Sequence, residues 1–490
     1  MKVRIAASIL ALAIAIPGFA QQPDAPAAVG HQVETLPDTP AGTAFGAWFA
    51  AYNSGDRAAL QAYNDRYHRQ TAPEDWIALR GQTGPMTIVR IEADGPNAIT
   101  VLMTVPESDD LYRSRFVIDP NDPTIFTDAA LSVVDRPPEL AIPRLTQSEA
   151  LASLQSRADA LAAEGRFSGA MLIETGGETI YRGTWGLADR ATGAPVTLDT
   201  RFRLGSANKM FTAVAALQLV DQGRLALDGT IGRYLPDYPN REIADKVTIR
   251  QLLTHTGGTG EIFTDEYAAR RSEVRTLADY VAMFGARGPE FEPGSREGYS
   301  NYGYVLLGYI VERVSGKSYY DYVNDHIFAP AGMTDTGSLP EEVDVPGRAD
   351  GYTWSEGRWA PNVDTLPYRG SAAGGGYSTL ADLLRFAHAL SAGTLLPLPL
   401  VAEATRPQVG GRWYGYGFQT QGAGRSRHFG HGGGAPGMNA ELRIYPESDV
   451  IIIALSNMDP PYAQTLASYY AYRMPEEPSA ASDQVDTSAP

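Results

Sequence analysis

The stretch FRLGSANKMFTAVA, residues 202–215, decides how the rest of the chain is interpreted. A strand-like end meets a glycine, then Ser206, then an apolar helical pattern that ends near Gly223. The pattern predicts a helix with Ser206 at or near its N-terminus and Lys209 one turn further on. Because positions i and i+3 share a helix face, the Lys209 amine can reach the Ser206 hydroxyl.

A Ser-x-x-Lys pair has both a catalytic and a structural interpretation. A serine hydroxyl becomes a nucleophile when a base takes its proton, and a lysine can act as that base when its pKa is lowered. The structural alternative is a helix N-cap followed by a solvated lysine. Among 40 basic residues the only lysines are Lys2, Lys209, Lys246 and Lys317. A lysine at this position, in a chain that otherwise uses mostly arginine, favours the catalytic interpretation. Only lysine can lose its proton near neutral pH, whereas arginine stays charged.

Composition limits the classes of function. The chain has 490 residues, of which 43% are hydrophobic and 20% charged, which is typical of a soluble globular protein with two or three domains. The formal net charge of -17 argues against nucleic acid or an anionic membrane surface as a partner. The chain has no cysteine, so disulfides, thiol nucleophiles and thiolate metal sites are excluded. We expect neither a metal nor a cofactor.

The two ends of the chain indicate export and flexible segments. Residues 1–20 are predicted to be a signal peptide, because two basic residues precede a short apolar run and a small-residue cleavage site. A membrane anchor is the alternative for this segment. We expect a periplasmic or secreted protein without a membrane span after signal removal. Residues 21–40 are predicted to be a flexible leader and residues 476–490 a disordered tail.

A small α+β domain is predicted at residues 41–140. Two helical patterns precede four strand-like runs separated by turn residues. The helical patterns cover residues 43–52 and 57–67, and the strand-like runs cover residues 86–91, 98–105, 111–118 and 125–134. This order weakly resembles the cone-shaped folds of the ketosteroid-isomerase and cystatin type. We assign no chemistry to this domain.

The second domain is predicted at residues 148–475 and combines helices with antiparallel strands. A helix at 148–164 leads into a hairpin, and a crossover then places the Ser206 helix against a sheet. Residues 438–445 and 450–457 are predicted strands, and the second is nearly all apolar and therefore central.

Tyr299-Ser300-Asn301 stands at a predicted loop-to-helix junction. A tyrosine hydroxyl near a lysine ammonium can have its pKa lowered and act as a base, which is the role we predict for Tyr299. Asn301 has two possible roles: holding Lys209 or donating its amide to a substrate carbonyl. Tyr-x-Asn also occurs twice elsewhere, so this motif alone is a weak signal.

His431-Gly432-Gly433-Gly434 is predicted to lie on a strand that a ligand can approach closely. A backbone N–H near Gly434 can pair with that of Ser206 as an oxyanion hole. His431 is a candidate for orienting substrate or passing a proton, and its structural alternative is a residue at a strand edge. His255, between two threonines before a glycine pair, is interpreted as a brace for a loop or helix end.

Together, Ser206-x-x-Lys209, Tyr299-Ser-Asn301 and His431-Gly-Gly433 resemble the motif set of the β-lactamase-related serine hydrolases. This family includes class C β-lactamases, D-alanyl-D-alanine carboxypeptidases, D-aminopeptidases and carboxylesterases. The resemblance covers roughly residues 148–475 and leaves residues 41–140 outside.

The resemblance implies an α/β fold in which helices flank an antiparallel sheet and the site lies beside a helical subdomain. It implies that Ser206 is acylated, that Lys209 and Tyr299 share its proton and that Asn301 positions Lys209 and substrate. Gly433, Gly434 and His431 would contact substrate. The third motif has His431 where the family pattern has lysine, which favours an ester or D-peptide over a β-lactam.

Three alternatives remain open from the sequence. The first is a non-catalytic protein of the same fold that binds peptidoglycan or peptide. The second is a true β-lactamase. The third adds a regulatory role, in which residues 41–140 bind a ligand or partner and gate the hydrolase.

Overall fold

The computed structural model describes residues 35–69, 71–355, 357–408 and 413–476. The predicted signal peptide lies outside these residues, as do residues 21–34 of the predicted leader and residues 477–490 of the predicted tail. Within the described part of the chain, no helix is both long and apolar enough to cross a membrane.

The N-terminal unit packs three helices against a four-stranded antiparallel sheet. An aromatic cluster that includes Phe45, Trp48 and Phe116 fills the space between helices and sheet. The strands follow one another in the order β1-β2-β3-β4. The elements are α1 (Pro40–Ser54), α2 (Arg57–Arg66), α3 (Pro73–Thr83), β1 (Thr87–Gly95), β2 (Ala98–Val105), β3 (Ser108–Ile118) and β4 (Phe126–Val134). The sequence patterns missed α3, because its apolar residues are contiguous rather than helically spaced.

The larger unit is built on a six-stranded antiparallel sheet with the order β13-β14-β15-β16-β5-β6. Every residue of β16 is buried, which confirms its predicted central position. Burial on both faces explains why its sequence is a continuous apolar run. The six strands are β5 (Gly169–Thr175), β6 (Glu178–Trp185), β13 (Gln419–Gln421), β14 (His428–Ala435), β15 (Met438–Tyr445) and β16 (Val450–Ser456).

Helices cover both faces of this sheet. Ile452 packs in one core with α4 (Gln147–Ala163) and α16 (Tyr462–Arg473), whereas its neighbour Ile453 packs in the other core with α5 (Lys209–Asp221). This alternation follows from the two-residue period of a strand.

The remaining elements form the helical part beside the sheet and three short ribbons. They are β7 (Leu187–Asp189), β8 (Ala194–Pro195), β9 (Phe202–Arg203), α6 (Ile231–Tyr234), α7 (Arg241–Lys246), α8 (Ile249–Leu253), α9 (Asp265–Arg270), α10 (Leu277–Phe284), α11 (Asn301–Ser315), α12 (Tyr319–Val323), α13 (Ala329–Ala331), β10 (Tyr352–Ser355), β11 (Arg358–Pro361), β12 (Tyr377–Ser378), α14 (Leu380–Ser391) and α15 (Leu398–Ala404).

The segment before Ser206 forms a short strand of its own. Strand β9 does not join the main sheet but pairs with β12 in a separate two-stranded ribbon. The α-helix begins at Lys209, and a 3₁₀ turn at Gly205–Asn208 precedes it. Ser206 therefore lies near the helix N-terminus, as predicted, on a 3₁₀ turn that runs directly into the α-helix.

Charged contacts join the two units. Asp109, the second residue of β3, accepts a hydrogen bond from the Arg473 guanidinium at 2.6 Å. Tyr472 donates its hydroxyl to Asp110 at 3.2 Å, and Glu107 forms an ion pair with Arg166. An acidic turn of the small unit thus docks on basic residues of the large one.

Candidate active site

Ser206 lies on a tight turn that packs against strand β14. Gly205 has a φ of +54°, and a side chain there would place its Cβ 3.0 Å from the Gly434 nitrogen. A Cβ on Gly433 would lie 1.9 Å from the Leu204 carbonyl oxygen. Glycine is therefore required on both sides, and this close approach brings the Gly434 backbone beside the serine.

Lys209 is fully buried, and its ammonium has three acceptors. Its Nζ donates to Ser206 Oγ at 3.2 Å, to Asn301 Oδ1 at 2.7 Å and to the Ala373 carbonyl oxygen. Burial lowers the pKa of Lys209 to about 7. A large fraction of Lys209 is therefore neutral near pH 7 and can accept the Ser206 proton.

Asn301 is the first residue of α11, whose N-cap is Ser300. Its Oδ1 accepts from Lys209, and its Nδ2 donates to Glu261 Oε2 at 2.9 Å. Both ends of the amide thus have protein partners. Of the two roles predicted for Asn301, the geometry supports holding Lys209 rather than donating to a substrate carbonyl.

Tyr299 lies beside both Ser206 and Lys209. Its hydroxyl forms a hydrogen bond with the Ser206 side chain, and Lys209 Nζ lies 4.8 Å from its ring centroid. Burial raises the pKa of Tyr299 well above its ordinary range. The expectation of a lowered pKa is wrong, because desolvation of the phenolate outweighs the hydrogen bond with Ser206.

His255 follows α8 and braces the loop that carries Tyr299. Its ring packs against the Tyr299 ring with centroids 4.1 Å apart, and its Nδ1 accepts the Ser300 backbone N–H at 3.1 Å. Burial and the nearby Lys209 lower the pKa of His255, so the ring is neutral. These contacts fit the interpretation of His255 as a brace.

His431 is not among the residues that line the cavity above Ser206 described below, so the structure gives its predicted contact with substrate no support. Its side chain is buried, its Nδ1 donates to the Gly432 carbonyl at 2.5 Å, and its Nε2 accepts from the Tyr414 hydroxyl at 3.0 Å. Burial and the nearby Lys209 lower the pKa of His431 to about 3. The ring is therefore a neutral support beneath β14, since both its nitrogens are engaged inside the protein.

A cavity of about 250 Å³ opens above Ser206, Asn301 and Gly434. Arg271 is the one basic side chain among the described residues that line it, and this side chain has no hydrogen bond or ion pair with another described residue. The apolar part of the lining includes Ile262, Phe263, Leu366, Pro367, Ala435 and Met438. Such a cavity suits an acyl group with an apolar side chain.

Sequence reasoning missed two members of this site. Glu261 lies in a glycine-rich loop, and its carboxylate accepts a hydrogen bond from Asn301. Ala373 lies in a second glycine-rich loop, and its backbone carbonyl accepts a hydrogen bond from Lys209. No local motif marks either residue. Their proximity arises only when segments distant in sequence pack around the N-terminus of α11.

A family comparison adds to this geometry. The Beta-lactamase family model matches residues 154–473 of the chain. The protein belongs to the Beta-lactamase family. The matched region holds the sheet, the serine turn and α11, and it leaves the N-terminal unit outside. Family membership confirms the resemblance proposed from the three motifs, and with it the fold.

Curated relatives of this Beta-lactamase family chain include penicillin-binding proteins and an esterase. Penicillin-binding protein 4 of Amycolatopsis lactamdurans is 32% identical over 323 residues, which are 62% of this chain and 84% of that protein. Esterase EstB of Burkholderia gladioli is 33% identical over 313 residues, covering 54% of this chain and 79% of that protein. The family is one of serine hydrolases.

Solved structures of the same fold include a penicillin-binding protein from Bacillus halodurans. It is 30% identical with a TM-score of 0.58 and covers 63% of this chain and 97% of its own. The D-amino acid amidase from Ochrobactrum anthropi SV3, complexed with L-phenylalanine, is 26% identical with a TM-score of 0.55 and covers 66% and 96%. The fold thus occurs in proteins named for different substrates.

Proposed function

We propose that this protein is an exported serine hydrolase that cleaves an ester or an amide through an acyl-enzyme on Ser206. The observation that carries the proposal is the buried Lys209 amine, 3.2 Å from Ser206 Oγ. Burying a lysine is costly, and it is useful where a neutral amine is needed as a base. A non-catalytic binding protein of this fold would have no need of that desolvated pair.

Acylation begins when Ser206 Oγ forms a bond to the substrate carbonyl carbon and its proton passes to neutral Lys209. The bond to the leaving alcohol or amine then breaks, and the leaving atom takes a proton returned through Lys209 and Tyr299. Water attacks the acyl carbon, its proton goes to Lys209, and Ser206 Oγ regains a proton as the acid departs. Tyr299 acts in this scheme as a protonated relay, because burial disfavours its phenolate.

The oxyanion that forms on the carbonyl oxygen needs hydrogen-bond donors. We assign this role to the backbone N–H groups of Ser206 and Gly434, whose segments meet at the wall of the cavity. Preorganised donors of this kind lower the barrier by several kcal/mol in acyl transfer, about 3–4 kcal/mol for one donor.

An ester or a D-peptide is a better candidate substrate than a β-lactam. The motif position that carries lysine in the β-lactamase pattern holds His431, which is neutral and buried. No cation from that position can meet a β-lactam carboxylate. The relatives named as an esterase and as a D-amino acid amidase support the ester and amide classes.

Export and domain organisation belong to the same proposal. The predicted signal peptide at residues 1–20 supports a periplasmic or secreted location, and relatives named as penicillin-binding proteins are consistent with it. We propose that residues 41–140 form a separate domain and leave its role unassigned.

Hydrolysis of a short-chain p-nitrophenyl ester by the mature protein tests the proposal, with wild type beside Ser206→Ala. We expect loss of at least about 1,000-fold in kcat for the variant, since no other nucleophile replaces the serine. Ser295→Ala, at an exposed turn, is the matched control and should leave the rate unchanged. Equal rates in Ser206→Ala and wild type would refute the acyl-serine mechanism. A D-alanyl-D-alanine peptide assayed in parallel separates esterase from peptidase activity.

A further inference from the structure

Glu261 is a half-buried carboxylate that faces the N-terminus of α11. Its Oε1 accepts the Ile262 backbone N–H at 2.6 Å, and its Oε2 accepts Asn301 Nδ2 at 2.9 Å. The Asn301 backbone N–H also forms a hydrogen bond with this carboxylate. Both oxygens of Glu261 therefore act as acceptors, and one of them determines where the Asn301 amide nitrogen lies.

The orientation of the Asn301 amide matters because its two ends have opposite character. The oxygen accepts a hydrogen bond, whereas the nitrogen donates one. Lys209 needs an acceptor at 2.7 Å, and an amide flipped by 180° would present N–H groups to the lysine instead. On its own, Lys209 could not hold the amide in place while its amine gains and loses a proton.

We propose that Glu261 is a positioning residue of the hydrolase, whose carboxylate fixes the Asn301 amide so that Oδ1 faces the Lys209 amine. This inference rests on the proposed function, because Lys209 is there the base for Ser206. A chain Glu261–Asn301–Lys209–Ser206 results, in which each hydrogen bond sets the direction of the next.

A carboxylate is required at this position for a geometric reason. Glutamine has the same shape but only one acceptor oxygen. If that oxygen faces Asn301, the glutamine NH₂ meets the Ile262 N–H, and if it faces Ile262, the NH₂ meets Asn301 Nδ2. In either orientation two N–H donors face each other and one hydrogen bond is lost. The change Glu261→Gln therefore releases or flips the Asn301 amide although it preserves volume.

The charge of Glu261 also acts on Lys209. The carboxylate attracts the ammonium and so opposes the lowering of the Lys209 pKa by burial. The other titratable groups around the ammonium are neutral, because burial raises the pKa of each tyrosine and lowers that of each histidine. These groups are His255, Tyr299, Tyr304, Tyr414 and His431. Loss of the Glu261 charge should therefore lower the pH at which Lys209 loses its proton.

The test compares Glu261→Gln with wild type in the full mature protein, using a fluorophosphonate probe for Ser206 and a neutral ester for turnover. We expect labelling and kcat to fall by about 100-fold, the cost of a misplaced catalytic group, with KM changed by less than about two-fold. The acid limb of the rate against pH should move to lower pH. Glu174→Gln is the matched control, since Glu174, on β5, is a buried carboxylate that forms a hydrogen bond with His388 of α14. It should label at the wild-type rate.

A double-variant comparison separates positioning from a general loss of structure. If Glu261 acts through Asn301, Glu261→Gln should cost no further labelling rate in an Asn301→Ala background. An equal loss in both backgrounds would overturn the inference. So would wild-type labelling and an unshifted acid limb in Glu261→Gln. If that variant does not fold, Glu261→Asp replaces it, because its carboxylate is retracted by one methylene and should also label slowly. Labelling of Ser206→Ala would instead refute the proposed function itself.

Discussion

The rate of Ser206 acylation should rise about ten-fold between pH 6 and pH 8 and then level off, because the proposed base is Lys209, whose pKa is lowered to about 7. With that pKa about 9% of Lys209 is neutral at pH 6 and about 91% at pH 8. A lysine at its ordinary value of 10.5 would give about a 100-fold rise over the same interval and no plateau. The plateau is therefore the feature that distinguishes a buried base from a solvated one.

The assay is the initial rate of hydrolysis of a neutral ester from pH 5.5 to pH 9, with the rate of fluorophosphonate labelling as a second readout. Initial rates at subsaturating ester report the ionisations of the free enzyme, because a neutral ester has no group that titrates in this range. A rate that is flat over this range, or that still rises ten-fold per pH unit at pH 9, would refute the assignment of Lys209 as a desolvated base.

Stability provides an independent check of the same pKa. Between about pH 7 and pH 10.5 the folded protein carries a neutral Lys209 while the unfolded chain carries a charged one. The unfolded state then binds more protons, so stability from this group rises with pH through that window. The unfolding free energy of Lys209→Met should exceed that of wild type. Within this window the difference should shrink by about 1.4 kcal/mol for each unit that the pH rises. A difference independent of pH would contradict the burial argument.

Two further variants test the close packing beside Ser206 and the lining of the cavity. Gly433→Ala should destabilise the fold by about 1–3 kcal/mol and slow labelling, because its Cβ would lie 1.9 Å from the Leu204 oxygen. Gly288→Ala, whose Cβ would be 3.9 Å from its nearest neighbour, is the control in thermal unfolding, and equal losses in both would count against this reasoning. Arg271→Ala should raise KM about ten-fold for an ester that carries a carboxylate, the worth of one charge-assisted hydrogen bond, and leave a neutral ester unchanged. Arg270→Ala, whose side chain pairs with Glu266 and Glu273, is its control, and an unchanged KM in Arg271→Ala would show that Arg271 does not contact substrate.

Much of the fold could be predicted from local patterns. The four strands of the N-terminal unit and the buried β16 follow from runs of apolar and β-branched residues between turn residues. Helix α11 follows from the apolar run behind the loop-to-helix junction at Tyr299-Ser300-Asn301. Helix α3 and the ribbon of β9 with β12 did not follow, because a contiguous apolar run and a two-residue strand carry no periodic signal.

The sequence by itself determined which reactive groups the protein has and in what order: Ser206, Lys209, Tyr299 and Asn301 in motifs that identify a family. Tertiary structure decided their state. Burial lowers the pKa of Lys209 to about 7 and raises that of Tyr299, and hydrogen bonds inside the protein engage both ring nitrogens of His431. The partner of each amide and carboxylate is likewise set by segments far apart in the chain. Desolvation and hydrogen-bond direction depend on these packed neighbours, so no local pattern records them.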